Sequence, residues 1–278
     1  MPRISDNPSI TVAAHRMEHG VLTAVEESLV TEEPLEIQLA YGPTGERKVK
    51  SISVTMRTPG ADSELAAGFL LTEGVVCDAN DIAEVTTVSS LENTIRVELA
   101  PDVAVNMASL ERNFYTTSSC GICGKASLLA LQTVSPPRHS SHFKIDATLL
   151  YTLPAKLREA QGIFAQTGGL HAAGLFDAAG KLHSIREDVG RHNAVDKLLG
   201  AEFLADRTPL RDRMLLLSGR ASFELLQKAV MAGLPMVASV GAPSSLALSI
   251  AREFDICLVG FLRDQRFNIY HGNCVATD

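Results

Sequence analysis

The chain has 278 residues, 46% of them hydrophobic, which is enough for a packed core and excludes a mostly disordered polymer. Twenty-five Lys and Arg stand against 32 Asp and Glu, a formal charge of −7 that argues against a broad electrostatic grip on nucleic acid. No apolar run approaches the ~18 residues of a spanning helix, and Met1–Gly20 lacks the apolar block of a signal peptide. The sequence therefore predicts a cytoplasmic protein with reduced thiols and no membrane partner.

Residues 1–20 read as a flexible tail. Val21–Val30 and Leu35–Tyr41 alternate as strands joined through Thr31-Glu-Glu-Pro34, and Gly42-Pro-Thr-Gly45 is a turn. Val49–Arg57 alternates again, with Ile52, Val54 and Met56 on one face. Asp62 or Ser63 is placed to cap a helix with the stripe Leu65, Ala66, Phe69 and Leu70, ended by Gly74. Ile82–Ser89 and Thr94–Leu99 complete a β-rich subdomain over 21–115. The stretch 116–140 holds a Cys-x-x-Cys loop, a short helix at Lys125–Val134 and a linker at Ser135–Ser141.

From 141 to 278 the rhythm changes. Asp146 caps a helix to about Ala160. Leu170–Phe176 and Leu182–Arg186 form a hairpin, and a helix covers about Arg191–Leu204. Strands at Met214–Leu217, Met236–Val240, Ile256–Phe261 and Phe267–His271 are interleaved with helices at Ser222–Ala232 and Ser244–Glu253. Strands alternating with helices imply parallel pairing under a helical cover. The expected fold class is mixed α/β: a β-rich N-terminal subdomain plus a C-terminal α/β/α domain.

In such sheets ligands bind beyond the carboxyl ends of the parallel strands. Three segments fall there: Ser218-Gly219-Arg220, Gly241-Ala-Pro-Ser244-Ser245, and Phe261-Leu262-Arg263-Asp264-Gln265-Arg266. Helix N-termini with free N–H groups, joined by Arg220, Arg263 and Arg266, suggest a crevice for a phosphorylated ligand. A fourth segment, Glu187-Asp-Val-Gly-Arg-His-Asn-Ala-Val-Asp-Lys197, gathers Asp188, Arg191 and His192 at a helix start. Arg191 there opposes the helix dipole unless an anion or the nearby carboxylates offset it. Gln166–His171 is expected to line the same space.

Five cysteines, an odd number, make no disulfide framework. Cys77, Cys257 and Cys274 each read as isolated, Cys257 as a core residue. Cys120 and Cys123 stand together and leave three uses open. Zinc would need His139 and His142, whose two-residue separation is shorter than finger spacing. Dithiol exchange would suit a Cys-x-x-Cys before a helix. Sulfur carriage would form Cys–S–SH on one thiol and release its outer sulfur by attack of the other. Lys125 favours the thiolate, and Gly121 and Gly124 permit close approach.

Ser119-Cys-Gly-Ile-Cys-Gly124, the Glu187–Lys197 block, Ser218-Gly-Arg220 and Val240-Gly-Ala-Pro-Ser244, with Gly68-Phe-Leu-Leu-Thr-Glu-Gly74, together resemble the formate dehydrogenase accessory sulfurtransferase family (FdhD type) over about Val21 to Gly272. The resemblance implies sulfur taken from a cysteine desulfurase onto Cys120, with Cys123 assisting. It implies delivery to Mo-bis(molybdopterin guanine dinucleotide), or its tungsten counterpart, for formate dehydrogenase, with Phe261–Arg266 in the cofactor-binding site. It also implies a cytoplasmic homodimer, no permanently bound metal, and a second half with the cytidine deaminase-like fold. The deaminase zinc signature is absent: His183 is followed by Ser184 and Ile185, and Cys120 is preceded by Ser119. A non-catalytic chaperone that binds and delivers the same cofactor is the alternative.

Overall fold

A computed structural model describes residues 7–105 and 143–276. The Cys120 and Cys123 pair, His139 and His142, the helix expected at Lys125–Val134 and the linker after it lie outside the described residues. Among the described residues no helix is long and apolar enough to cross a membrane.

The expected tail is a strand. β1 (Ser9–Glu18) pairs antiparallel along its length with β2 (Val21–Val30). His19 and Gly20, at φ 49° and 83°, make the two-residue turn that this pairing needs. β2 therefore pairs with β1 and not with the strand that follows it. That strand, β3 (Glu33–Tyr41), joins β4 (Lys48–Arg57), β5 (Ile82–Thr87) and β6 (Thr94–Leu99) in a sheet of order β4-β3-β6-β5. Leu35, Ile37 and Leu39 are buried and alternate with partly exposed Glu36 and Gln38, the period-two pattern of a half-buried sheet.

On β4 the expected alternation breaks. Ile37 pairs with Ser53 but Gln38 pairs with Ser51, so Ile52 is the extra residue of a bulge. The pleat changes sides there. Ile52 is buried, while Val54 is 68% and Met56 48% exposed, so the three do not share a face. The helix α1 (Asp62–Thr72) follows. Its N-cap is Ala61, at φ 57° and without a side-chain cap, and neither Asp62 nor Ser63 takes that role. The Asp62 carboxylate instead accepts from Arg57 Nε at 3.0 Å and Nη2 at 2.9 Å.

The second half begins with β7 (Ile145–Asp146), α2 (Ala147–Ala160) and a short α3 (Gly162–Thr167). Asp146 caps α2 as expected, accepting from Thr148 N. Then come β8 (His171–Phe176), β9 (Leu182–Asp188), α4 (Arg191–Leu204), β10 (Met214–Leu217), α5 (Phe223–Met231), β11 (Met236–Ser239), α6 (Ser245–Glu253), β12 (Cys257–Arg263), β13 (Arg266–His271) and β14 (Val275–Ala276). Six strands form one sheet in the order β13-β12-β11-β10-β8-β9. Parallel pairing is confined to β10-β11-β12, and the outer pairs are antiparallel.

Both faces of the sheet are covered, which is why its central strands read as unbroken apolar runs. Leu215, Leu217, Val237 and Leu258 pack under α4, α5 and α6. Met214, Leu216, Met236 and Val259 pack under α2.

The two halves meet where α1 crosses α4. Gly68 and Gly200 make the crossing close: a Cβ on Gly68 would lie 1.9 Å from Asp196 O, and one on Gly200 1.8 Å from Glu64 O. Phe203 of α4 completes the core of the first half. Buried polar contacts add to the seam. Asp196 accepts from Thr72 Oγ1 at 2.8 Å and from Lys228 Nζ at 2.9 Å.

Candidate functional site

The three segments expected at the strand ends lie side by side. Gly241 N donates to Gly219 O at 2.9 Å, Ser244 N to Ala221 O at 2.9 Å, and Phe261 N to Gly241 O at 3.0 Å. Glycine permits this contact, since a Cβ on Gly241 would lie 3.0 Å from Gly219 O. Ser244 caps α6 by accepting from Ala247 N. Ser218 does not open a helix. Its hydroxyl accepts from Ala172 N at 2.8 Å and extends the β10–β8 ladder, while α5 begins only at Phe223 behind Ser222.

Phe261–Arg266 is not a loop beyond a strand but the end of a hairpin. β12 runs through Phe261 and Leu262 to Arg263, Asp264 and Gln265 form the turn with φ 52° and 55°, and β13 starts at Arg266. A bulge between Gly260 and Arg263 leaves Phe261 at φ 55°, a conformation a bulky side chain rarely adopts. Arg263 and Arg266 are direct cross-strand partners and both are exposed. Like charges placed opposite each other destabilise a hairpin, so an anion held between them offsets a cost built into the turn. Asp264 is 3.9 Å from Arg263 Nε. Neither Arg220 nor Arg266 forms an ion pair among the described residues.

Below these segments, on the α2 side, is a cleft of about 480 Å³. Gly168–His171 line it, together with Ser218 and Val240 at the ends of β10 and beyond β11, but Asp188, Arg191 and His192, expected to share that space, do not. The sequence reading missed its other wall, Leu157, Arg158 and Gln161 of α2 and its end, and Phe164 of α3. The Arg158 guanidinium sits 3.7 Å from the Phe164 ring centroid, a cation–π contact. Gln161 is 4% exposed, and its Nε2 has no hydrogen-bond partner. A buried donor left free costs stability unless a ligand or water meets it. Glu187 fixes this wall by accepting from Ile163 N at 3.1 Å and Phe164 N at 2.8 Å.

The Glu187–Lys197 block divides in two. Asp188 ends β9 and is fully buried, so it does not share a helical face with His192. Its carboxylate accepts from Thr58 N at 3.1 Å, Gly190 N at 2.8 Å and Asn193 Nδ2 at 3.1 Å, and pairs with Lys197 at 2.7 Å. Those donors occupy it, and Asp188 fastens α4 to the first half instead of facing the crevice. Arg191 and His192 remain at the surface, partly exposed. Arg191 forms no hydrogen bond or ion pair among the described residues.

His192 Nε2 lies 3.4 Å from Ser222 Oγ and 3.8 Å from Glu224. Burial, with the charges of Lys228 and Arg191, pushes the imidazole down to about 4. Burial and Arg191 also lower His171, which stands against Gly219. Two imidazoles, both lowered, thus border the strand-end segments and stay neutral at neutral pH. A histidine lowered on folding binds fewer protons folded than unfolded between the two values, so stability should decline as pH falls from about 6.5 toward 4. His192→Gln is expected to flatten that decline in urea unfolding at pH 7 and pH 5. An unchanged slope would mean that His192 titrates normally.

The fold and site together define a mixed α/β protein with a cleft beside the ends of its parallel strands. The sequence model of the FdhD/NarQ family matches residues 30–274, and the chain belongs to that family. It is 49% identical over 271 residues to a protein of Streptomyces avermitilis named sulfur carrier protein FdhD, covering 92% of each chain. It is also 49% identical over 255 residues to the Mycobacterium tuberculosis protein of that name, covering 88% of this chain and 90% of the relative. A crystal structure of a candidate formate dehydrogenase accessory protein from Desulfotalea psychrophila shares the fold at TM-score 0.72 and 24% identity, covering 96% of this chain and 98% of that one.

Proposed function

We propose that the chain accepts a persulfide sulfur on Cys120 from a cysteine desulfurase. It then passes that sulfur to the metal of Mo-bis(molybdopterin guanine dinucleotide), or of the tungsten form, for formate dehydrogenase. The observation that carries this reading is the sulfur-carrier name of relatives 49% identical over most of the chain, joined to a Cys-x-x-Cys pair in this sequence. In this reading the Cys120 thiolate attacks the outer sulfur of the donor persulfide, and the donor leaves as its thiolate. Cys123 then attacks the Cys120 sulfur and expels the outer sulfur as hydrosulfide toward the metal. A dithiol reductant reopens the resulting disulfide.

The cofactor is the substrate. Its diphosphate arms suit the opposed Arg263 and Arg266, with Arg220 beside them, because forked guanidinium donors match phosphate oxygens. A guanine suits the cleft, where the Arg158–Phe164 pair offers a flat face and Gln161 a free amide donor. The hairpin followed by three parallel strands supports the cytidine deaminase-like reading of the second half. The partners in this account are the desulfurase, the formate dehydrogenase apoenzyme and a second copy of the chain, all in the cytoplasm.

The crevice is tested with GDP as the probe. Arg263→Ala should weaken binding by about 2 kcal/mol, roughly a thirtyfold rise in Kd, if the guanidinium bonds a phosphate. Calorimetry on both proteins checks this, and an unchanged Kd would remove the hairpin from the binding site.

A further inference from the structure

Two cysteines that stand 17 positions apart in the sequence meet in the fold. Cys257 opens β12 and is fully buried; Cys274, just before β14, is 8% exposed. The β12–β13 hairpin brings the chain back, with Leu258 opposite His271. Gly272, at φ 84°, then turns so tightly that a Cβ there would lie 2.7 Å from Cys257 Cα. The Pro235 carbonyl marks the meeting point: it accepts from Cys257 N at 2.9 Å and lies 4.0 Å from Cys274 Sγ. Both side chains belong to the same buried cluster under α2. Backbone on both sides holds Cys274 in place. Its carbonyl accepts from Ile145 N at 2.8 Å, and the Lys144 ammonium donates to Asn273 O.

We propose that Cys257 and Cys274 form a redox-active dithiol, separate from Cys120 and Cys123, that closes to a disulfide by exchange with a low-molecular-weight disulfide. The surroundings assign the two roles. The neighbouring Cys257 thiol and the Lys144 charge lower the Cys274 thiol against the opposing effects of burial and Asp255. The neighbouring Cys274 thiol, together with burial, pushes Cys257 far up. Cys274, the more accessible, is the attacking thiolate. It displaces one thiolate from the small disulfide R–S–S–R and forms Cys274–S–S–R. The released thiolate takes the Cys257 proton, and Cys257 attacks the Cys274 sulfur and expels the second thiolate. The protein dithiol loses two electrons and the small disulfide becomes two thiols. Closure would fasten together the two ends of the hairpin that carries Phe261–Arg266, so the proposal does not depend on what binds there.

The full chain, treated with oxidised glutathione, blocked with iodoacetamide and digested with trypsin without reductant, reports the outcome. The expected product joins the peptide 253–263 to the peptide 267–278, two hydrogens lighter than their sum and separated by dithiothreitol. In Cys257→Ser, Cys274 should stop at the mixed disulfide with glutathione. Full alkylation of Cys257 and Cys274 in the treated parent protein would overturn the proposal, and so would links from either to Cys120 or Cys123 alone.

Discussion

Cys120→Ala is expected to abolish sulfur transfer while leaving GDP binding within about twofold of the parent. The proposed reaction has one attacking atom, and methyl cannot replace it. Removing the attacking group of a covalent mechanism slows turnover by at least about a thousandfold. The thiol is suited to its part by sequence: Lys125 favours the thiolate, and Cys123 is spaced to release the outer sulfur. The proposed nucleotide site draws on other residues, Arg263 and Arg266 of the hairpin and Gln161 of the cleft, so binding should survive. Formate dehydrogenase activity matured by each variant, measured beside GDP calorimetry, separates the two. A Cys120→Ala chain that still matures the enzyme would instead make the protein a chaperone that binds and delivers the cofactor without reacting.

The second large effect is on stability. Gly200→Ala should destabilise the fold by about 3 kcal/mol. Alanine in a helix is favoured over glycine by about 1 kcal/mol, and that gain is outweighed here. The added methyl would sit 1.8 Å from Glu64 O and 2.6 Å from Gly68 N, both backbone atoms of α1. Overpacking of this kind costs about 1–3 kcal/mol and more where nothing can yield. The two helices must part, and the seam they close also holds the buried Asp196, Lys228 and Thr72 contacts. Gly162→Ala is the control, because nothing lies within 4 Å of its added Cβ. Urea unfolding of the three proteins checks the difference, and equal midpoints for Gly200→Ala and the parent would show that α1 and α4 separate freely.

Local signals were readable in the sequence where local physics decides. Asp146 before an apolar-periodic run, Ser244 at the start of α6, and the unbroken Met214–Leu217 are recovered in the structure. The readings that fail depend on distant partners. Ser9–Glu18 is a strand because Val21–Val30 lies opposite it. Ile52 is separated in facing from Val54 and Met56 by a bulge set by the pairing of β3. Asp188 looked available for a ligand beside His192, yet Thr58 from the other half of the chain and Lys197 of α4 enclose it.

The same limit applies to the candidate site. Arg220 was legible beyond a parallel strand and Arg263 and Arg266 as near neighbours, but not that these two face each other across an antiparallel hairpin. Arg158, Gln161 and Phe164 were not legible as a site, since only the return of α2 and α3 over the sheet brings them to the cleft beside Ser218 and Val240. The meeting of Cys257 and Cys274 was hidden for the same reason: one reads as a core residue and the other as isolated until Gly272 folds the chain back.

The most direct measurement is the mass of the Cys120 peptide after the protein is incubated with cysteine and a desulfurase. The account predicts a gain of about 32 Da, one sulfur atom, confined to Cys120 and removed by dithiothreitol. A peptide that keeps its original mass, or a gain found on Cys77, Cys257 or Cys274 alone, would contradict it.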